Sequence, residues 1–185
     1  MNALVAYLVS AMMGWVPLRM HAPLESRDDA RARYESIAED AAAIAMDPEE
    51  APLFGGSDGR LRTALLMLSV ASYESGYRKK VDDGRRLGDG GHSFCLMQIR
   101  VGRGVTLEGW TGWDLIRDRQ RCFRAGLRIL RTSFGTCRAF PMDDRVSAYV
   151  TGHCLEDSAI SRSRMYRARA WRESHAMPRS PGTDT

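Results

Sequence analysis

The sequence predicts a mostly α-helical fold, and three stretches carry that prediction. From Arg27 to Met46, residues Ala30, Tyr34, Ile37, Ala38, Ala41, Ile44 and Ala45 fall on one face at helical spacing. Met67, Val70, Ala71 and Glu74 follow the i, i+3, i+4, i+7 pattern of a second helix. Asp114 to Phe134 reads as a long third helix with Leu115, Cys122, Gly126, Ile129 and Leu130 inward. Only Ser93 to Ile99 is expected to form a short β-hairpin or irregular segment.

At 185 residues the chain is long enough for one domain with extensions and a sizeable core. The expected division is a helical extension over 1–54 packed on the same domain, a core over 55–155, and a basic helix and tail over 156–185. Hydrophobic residues at 44% and charged residues at 27% exclude a disordered chain. A net charge of +4 suits an anionic partner. No basic patch interleaved with exposed aromatics is present, so nucleic acid is not an expected partner.

The elements follow in order. Leu4 to Val16 is apolar but too short for a membrane span. It reads either as a helix packed on the fold, the favoured reading, or as an export or anchoring segment, although no Lys or Arg precedes it. Trp15 and Pro17 close it. Asp47-Pro48 ends the next helix, and 49–59 is loop punctuated by Pro52, Gly55 and Gly56. Ser57 or Asp58 is placed to cap the helix that carries Glu74, which stops at Gly76.

Lys79 to Ser93 is a polar, Gly-rich loop. Its run from Gly88 to Gly91 lacks the Lys-Ser or Lys-Thr pair of a phosphate cradle. Trp110 and Trp113 lie in or beside the loop that follows, with inward packing or a sugar-stacking cleft as alternatives. Gly126, costly inside a helix, implies close packing against another helix, the Glu74 helix being the first choice. Asp144 to Gly152 is a short helix with Val146, Tyr149 and Val150 inward. Arg162, Arg164, Arg167, Arg169 and Arg172 make 156–172 a basic helix, either solvated or drawn to a membrane or cell-wall surface. Ser174 to Thr185 reads as a flexible tail.

Glu74 stands out because it lies in phase with its helix's apolar stripe. Partial burial there, and a place in the last turn at the negative end of the helix dipole, both favour a carboxyl group that holds its proton, as a general acid must. The alternative is a last-turn Glu whose head group reaches water.

Several motifs weigh towards the functional reading. Glu74-Ser75-Gly76-Tyr77 resembles the Glu-Ser-x-aromatic motif of the soluble lytic transglycosylases. Gly91 to Ile99, ending Cys95-Leu96-Met97-Gln98-Ile99, resembles their Gly-x-x-Gly-Leu-Met-Gln-Ile segment. Asp118, Gly126-Leu127 and Leu130 resemble the helix of form Asp-x-x-x-Asn-Ile-x-x-Gly-x-x-x-Leu. Ala148-Tyr149-Val150-Thr151-Gly152 resembles Ala-Tyr-Asn-x-Gly. The four come in the family's order from Leu61 to Cys154. Three positions depart from it: Cys95 replaces Gly, Val150 replaces Asn, and Cys122 falls close to the Asn of the preceding helix.

The resemblance implies a lysozyme-like helical domain that cleaves the β-1,4 link between N-acetylmuramic acid and N-acetylglucosamine in peptidoglycan. It implies Glu74 as acid and then base, with Ser75, Met97, Gln98 and Tyr149 as substrate-binding positions. Met97 reads equally well as plain core, and Tyr149 as a half-buried packing residue. The implied chemistry needs no metal or organic cofactor. Hydrolysis, as in the related goose-type lysozymes, needs a second carboxylate, for which Asp82, Asp83 and Asp89 are the candidates. A glycan-binding protein that has lost turnover is the third reading. The implied setting is the periplasm, the cell envelope or a phage particle.

Four cysteines allow three pairings. Cys122 and Cys154 lie symmetrically about the turn near Arg138, so an antiparallel helix hairpin would pair them and leave Cys95 with Cys137. Cys95 with Cys154 is a further choice. Disulfides would imply an oxidising compartment. A metal site from His92, Cys95, His153 and Cys154 is a weaker rival, because adjacent residues splay on a helix, and reduced, buried cysteines are the blander alternative.

Overall fold

The computed structural model describes residues 2–22, 24–102 and 104–177. Residues 178–185, most of the expected tail, lie outside them. The described chain is mostly α-helical, with one small antiparallel hairpin.

Helix α1 spans Ala3–Trp15, α2 Arg27–Met46 and α3 Gly59–Glu74. Every residue of α3 from Thr63 to Ser72 is buried. The apolar stripe expected on one face is therefore apolar all round, the pattern of a helix enclosed by others. Helices α1, α2, α6 (Arg119–Thr136) and α8 (Ala159–Ser174) pack against it. Helix α2 buries all seven residues of its expected stripe and is capped by Ser26, whose side chain accepts from the Asp29 N–H. Asp58 is the residue before α3, but its side chain bonds Arg172 and not the helix end.

Helix α1 belongs to the same core: Leu8, Ala11 and Met12 are fully buried. Its Tyr7 hydroxyl donates to the His175 carbonyl at 2.9 Å. Trp15 meets Trp171 edge to face at 6.2 Å. Gly14 sits so close to Trp171 that a Cβ there would lie 2.5 Å from the ring. The first and last helices thus hold one another. Among the described residues no helix is long and apolar enough to cross a membrane.

The expected long third helix is two. α5 (Gly112–Arg117) and α6 meet at Asp118, whose backbone is extended at φ −133° and ψ 99°. Asp118 accepts from the Arg121 N–H and caps α6, while Thr111 and Asp114 form a reciprocal capping box on α5. A short helix α4 (Lys79–Asp82) precedes the hairpin of β1 (Ser93–Phe94) and β2 (Ile99–Arg100), in which Ser93 faces Arg100 and Phe94 faces Ile99. The expected last short helix is α7, only Ser147–Thr151.

Gly126 packs against the hairpin and not against α3: a Cβ there would lie 2.3 Å from the Met97 sulfur. Ile129, expected inside, is 37% exposed.

Both disulfides differ from the expected pairing: Cys95 joins Cys122, and Cys137 joins Cys154. The expected symmetry needed a return helix as long as α6. With only five residues in α7, the returning chain reaches no deeper than the C-terminal end of α6, where Cys137 lies. The N-terminal half of α6 is left to the hairpin. No cysteine is free, so the His–Cys metal alternative has no thiolate to use.

Candidate active site

Glu74 is the last residue of α3, and the chain must turn at once to leave it at the surface. Ser75 and Tyr77 make that turn. The buried Ser75 hydroxyl donates to the Ala71 carbonyl at 2.8 Å and accepts from the Tyr77 N–H at 3.2 Å. The Tyr77 ring is fully buried, and its hydroxyl donates to the Leu68 carbonyl at 2.7 Å. Gly76 takes φ +57° in between. Ser75, expected to touch substrate, therefore acts on the backbone that presents Glu74.

Beside Glu74 lies an open groove of about 640 Å³. The hairpin region supplies Asp89, Ser93, Gln98 and Arg100 to its wall, and α7 supplies Tyr149 and Val150. A second cavity of about 790 Å³ shares Ile99, Arg100 and Ile129 with the first. The two cavities are neighbours, and exposed Val105 and Leu107 line the second.

The hairpin is shaped by its backbone. Five non-glycine residues among those described have positive φ, and four of them, Tyr77, Asp89, Cys95 and Gln98, fall in the turn after α3 or around the groove. Such conformations cost free energy and persist where the surroundings enforce them. Cys95, at φ +61°, is bonded to Cys122. Gln98 donates to the Cys95 carbonyl at 2.9 Å, and its other amide atom lies where a Cβ on Gly88 would be.

Met97 is buried against Gly126 and reaches no groove, so its side chain is core. Its carbonyl accepts from the Tyr149 hydroxyl at 2.7 Å. That bond ties α7 to the hairpin and gives the Tyr149 hydroxyl a backbone partner, where the resemblance implied a substrate contact. Burial first, and then the nearby Glu74 carboxylate, push the Tyr149 pKa well above its ordinary value.

Of the three loop acids, only Asp89 lines the groove. Its carboxylate accepts from the Ser93 hydroxyl at 2.5 Å. Asp82 is buried in a two-pronged pair with Arg119 at 2.7 and 2.8 Å, and Asp83 is held by Arg85. Neither lines the groove. Trp110 and Trp113 do not line it either. Trp113 packs edge to face on Phe94 at 6.4 Å, and Arg121 lies over Trp110.

The residue missed from the sequence is Arg164. Its guanidinium, 7% exposed, donates to Glu74 Oε1 at 2.7 Å. Glu74 Oε2 has no partner among the described residues. Ser161, Arg164, Met165 and Ala168 are the buried stripe of α8 at helical spacing. Arg164 is therefore in phase with an apolar face just as Glu74 is, which is the sign that would have found it. The other expected free arginines of α8 are also engaged: Arg162 with Asp144, Arg169 with Asp143, Arg172 with Asp58, and Arg167 with the Ser72 hydroxyl.

Among the described residues no cluster of three or more His, Cys, Asp or Glu is placed to hold a metal ion. Compared with known proteins, the chain matches no family model, no curated protein and no solved structure.

Proposed function

We propose that the chain is a lytic transglycosylase that cleaves the β-1,4 link between N-acetylmuramic acid and N-acetylglucosamine in peptidoglycan. One observation carries the reading: motif segments far apart in the sequence supply Glu74, Gln98 and Tyr149 to a single groove. The two disulfides suit an oxidising compartment, and with this substrate the setting is the periplasm, the cell envelope or a phage particle.

In this reading Glu74 Oε2 carries the reacting proton. It protonates the N-acetylglucosamine O4 as the bond to muramic C1 breaks. The muramic C6 hydroxyl closes on C1, giving a 1,6-anhydro ring, and Glu74 takes the hydroxyl proton and is restored. Between the two transfers Glu74 is a carboxylate, which Arg164 stabilises from Oε1. No water is consumed, so one carboxyl group suffices.

A second reading rests on Asp89, which shares the groove with Glu74. With Asp89 activating water, the same groove would hydrolyse the bond. Digestion of purified peptidoglycan by wild type and Glu74→Gln, followed by mass spectrometry, separates the readings. Anhydro-muropeptides from wild type alone are expected. Reducing-end products lost on Asp89→Asn would replace transglycosylation with hydrolysis. Binding without product would leave a glycan-binding protein.

A further inference from the structure

We propose that a second face, built by the 3-10 turn Leu18–His21 with Leu24 and by the segment from Arg78 to Arg86, docks on an anionic lipid bilayer. The inference is independent of the chemistry at Glu74. The two segments enclose a cavity of about 390 Å³ that shares no residue with the Glu74 groove.

Two large apolar side chains stand out on one side of this cavity. Met20 and Leu24 are each 68% exposed. Folding gains nothing from such exposure, whereas entry into the acyl boundary of a membrane would bury both.

The facing wall is cationic. Arg78, Lys79, Lys80, Arg85 and Arg86 crowd a stretch that holds two acids, and those acids offer the surface little. Asp82 is turned inward onto Arg119, and Asp83 is taken by Arg85. Arg78, Lys80 and Arg86 have no acidic partner among the described residues. The Arg86 N–H donates to the Lys80 carbonyl at 2.6 Å, which puts these two cations on one turn.

The two walls are fastened together from beneath by Arg33. Its guanidinium binds the buried Glu25 at 2.5 and 3.0 Å and also donates to the Tyr77 carbonyl. The face is therefore preformed. Cations beside protruding apolar side chains match headgroup phosphates above an acyl layer. A soluble polyanion would engage the cations and leave Met20 and Leu24 in water, so the apolar pair selects the bilayer. The basic C-terminal helix is less suited to this task, because its arginines are engaged within the fold.

The test is flotation of the full oxidised chain with phosphatidylcholine vesicles, with and without phosphatidylglycerol. Binding is expected to the anionic vesicles only and to weaken with salt. Lys80→Ala with Arg86→Ala should lower affinity at least about tenfold. Met20→Ser with Leu24→Ser should lower it about tenfold as well, while leaving retention on soluble polyphosphate unchanged. All four side chains are on the surface, and circular dichroism checks that each variant folds. Failure to bind anionic vesicles overturns the proposal. So does wild-type vesicle binding by the Met20, Leu24 variant, which would make the face a site for soluble polyanions.

Discussion

Arg164 donates to Glu74 at 2.7 Å across 90 residues of sequence, so the last helix completes the environment of the residue on which the groove is centred. The pair is unequal. Arg164 is buried, with its Nε unpartnered, while Glu74 reaches the groove. Removing the Glu74 side chain must therefore cost stability as well as chemistry. Glu74→Ala is expected to destabilise the fold by about 2–3 kcal/mol, since a buried guanidinium loses its one acidic side-chain acceptor among the described residues. Glu74→Gln keeps an oxygen for Arg164 and should cost about 1 kcal/mol. Urea denaturation of both variants checks the difference. Equal losses would show that Arg164 does not depend on Glu74.

Cys95 and Cys122 are two of the three departures from the transglycosylase motifs, and they are bonded to each other. Cys95 has φ +61°, a conformation that glycine adopts freely, which is a physical reason for glycine at that place in the resembled motif. The disulfide holds a side-chain-bearing residue where it would otherwise be disfavoured. Breaking the bond by Cys95→Ala with Cys122→Ala should cost about 3 kcal/mol from the loss of loop closure, while the cost of a Cβ at positive φ is the same for Ala as for Cys. Cys95→Gly with Cys122→Ala should recover about 1 kcal/mol of this by relieving the backbone. Thermal unfolding of the two double variants gives the comparison. A Gly variant no more stable than the Ala variant would contradict this account.

The helices were legible where burial was one-sided or punctuation was local. Helix α2 declared its inner face through seven residues at helical spacing and its end through Asp47-Pro48. The break at Asp118 was not legible, because the apolar periodicity of 114–134 runs straight through a residue that caps α6. The cysteine pairing failed for a related reason: sequence symmetry about a turn says nothing about how long the returning helix is. In the site, Glu74, Gln98 and Tyr149 were found through motifs and do line one groove. Ser75 and Met97 came from the same motifs, yet they serve the turn and the core. Motif spacing records which residues a backbone arrangement needs, and it does not separate those that face the ligand from those that hold the chain. Arg164 escaped because the five arginines of the helix were read as one basic surface, without asking which of them shares the phase of Met165 and Ala168.

Gly126 shows that separation at one position. Replacing a helical glycine by alanine ordinarily gains about 1 kcal/mol. Here the new Cβ would lie 2.3 Å from the Met97 sulfur, in a place where Met97 is fully buried and has little room to move. Gly126→Ala is expected to destabilise by about 1–2 kcal/mol in spite of the helix gain. Shortening the neighbour with Met97→Val should recover part of that loss in the double variant. A double-mutant cycle by denaturant unfolding measures the coupling, and additive effects would mean that the hairpin yields to the methyl group.

Glu50 provides the acid dependence. The residue sits in what reads as an exposed loop, yet its side chain is 3% exposed and accepts from Arg124, Arg128 and Arg131 at 2.8, 3.1 and 2.7 Å. Burial works against its charge, but Arg131 and then Arg128 outweigh it, so the pKa falls below the ordinary 4.5. A carboxylate whose pKa is lower in the folded state stabilises fully above its unfolded value, and that contribution drains away as pH falls through the folded value. Stability should therefore hold near neutrality and decline below about pH 4.5. Glu50→Gln should lose about 3 kcal/mol near neutrality, because three guanidinium groups keep their mutual repulsion without the anion between them. It should also flatten the acid side of the profile, since the titrating group is gone. Denaturation midpoints of wild type and variant across this range check both parts. A variant with the wild-type acid slope would assign the decline to other carboxylates, of which Asp144, held down first by its bond to Arg162, is the next to substitute.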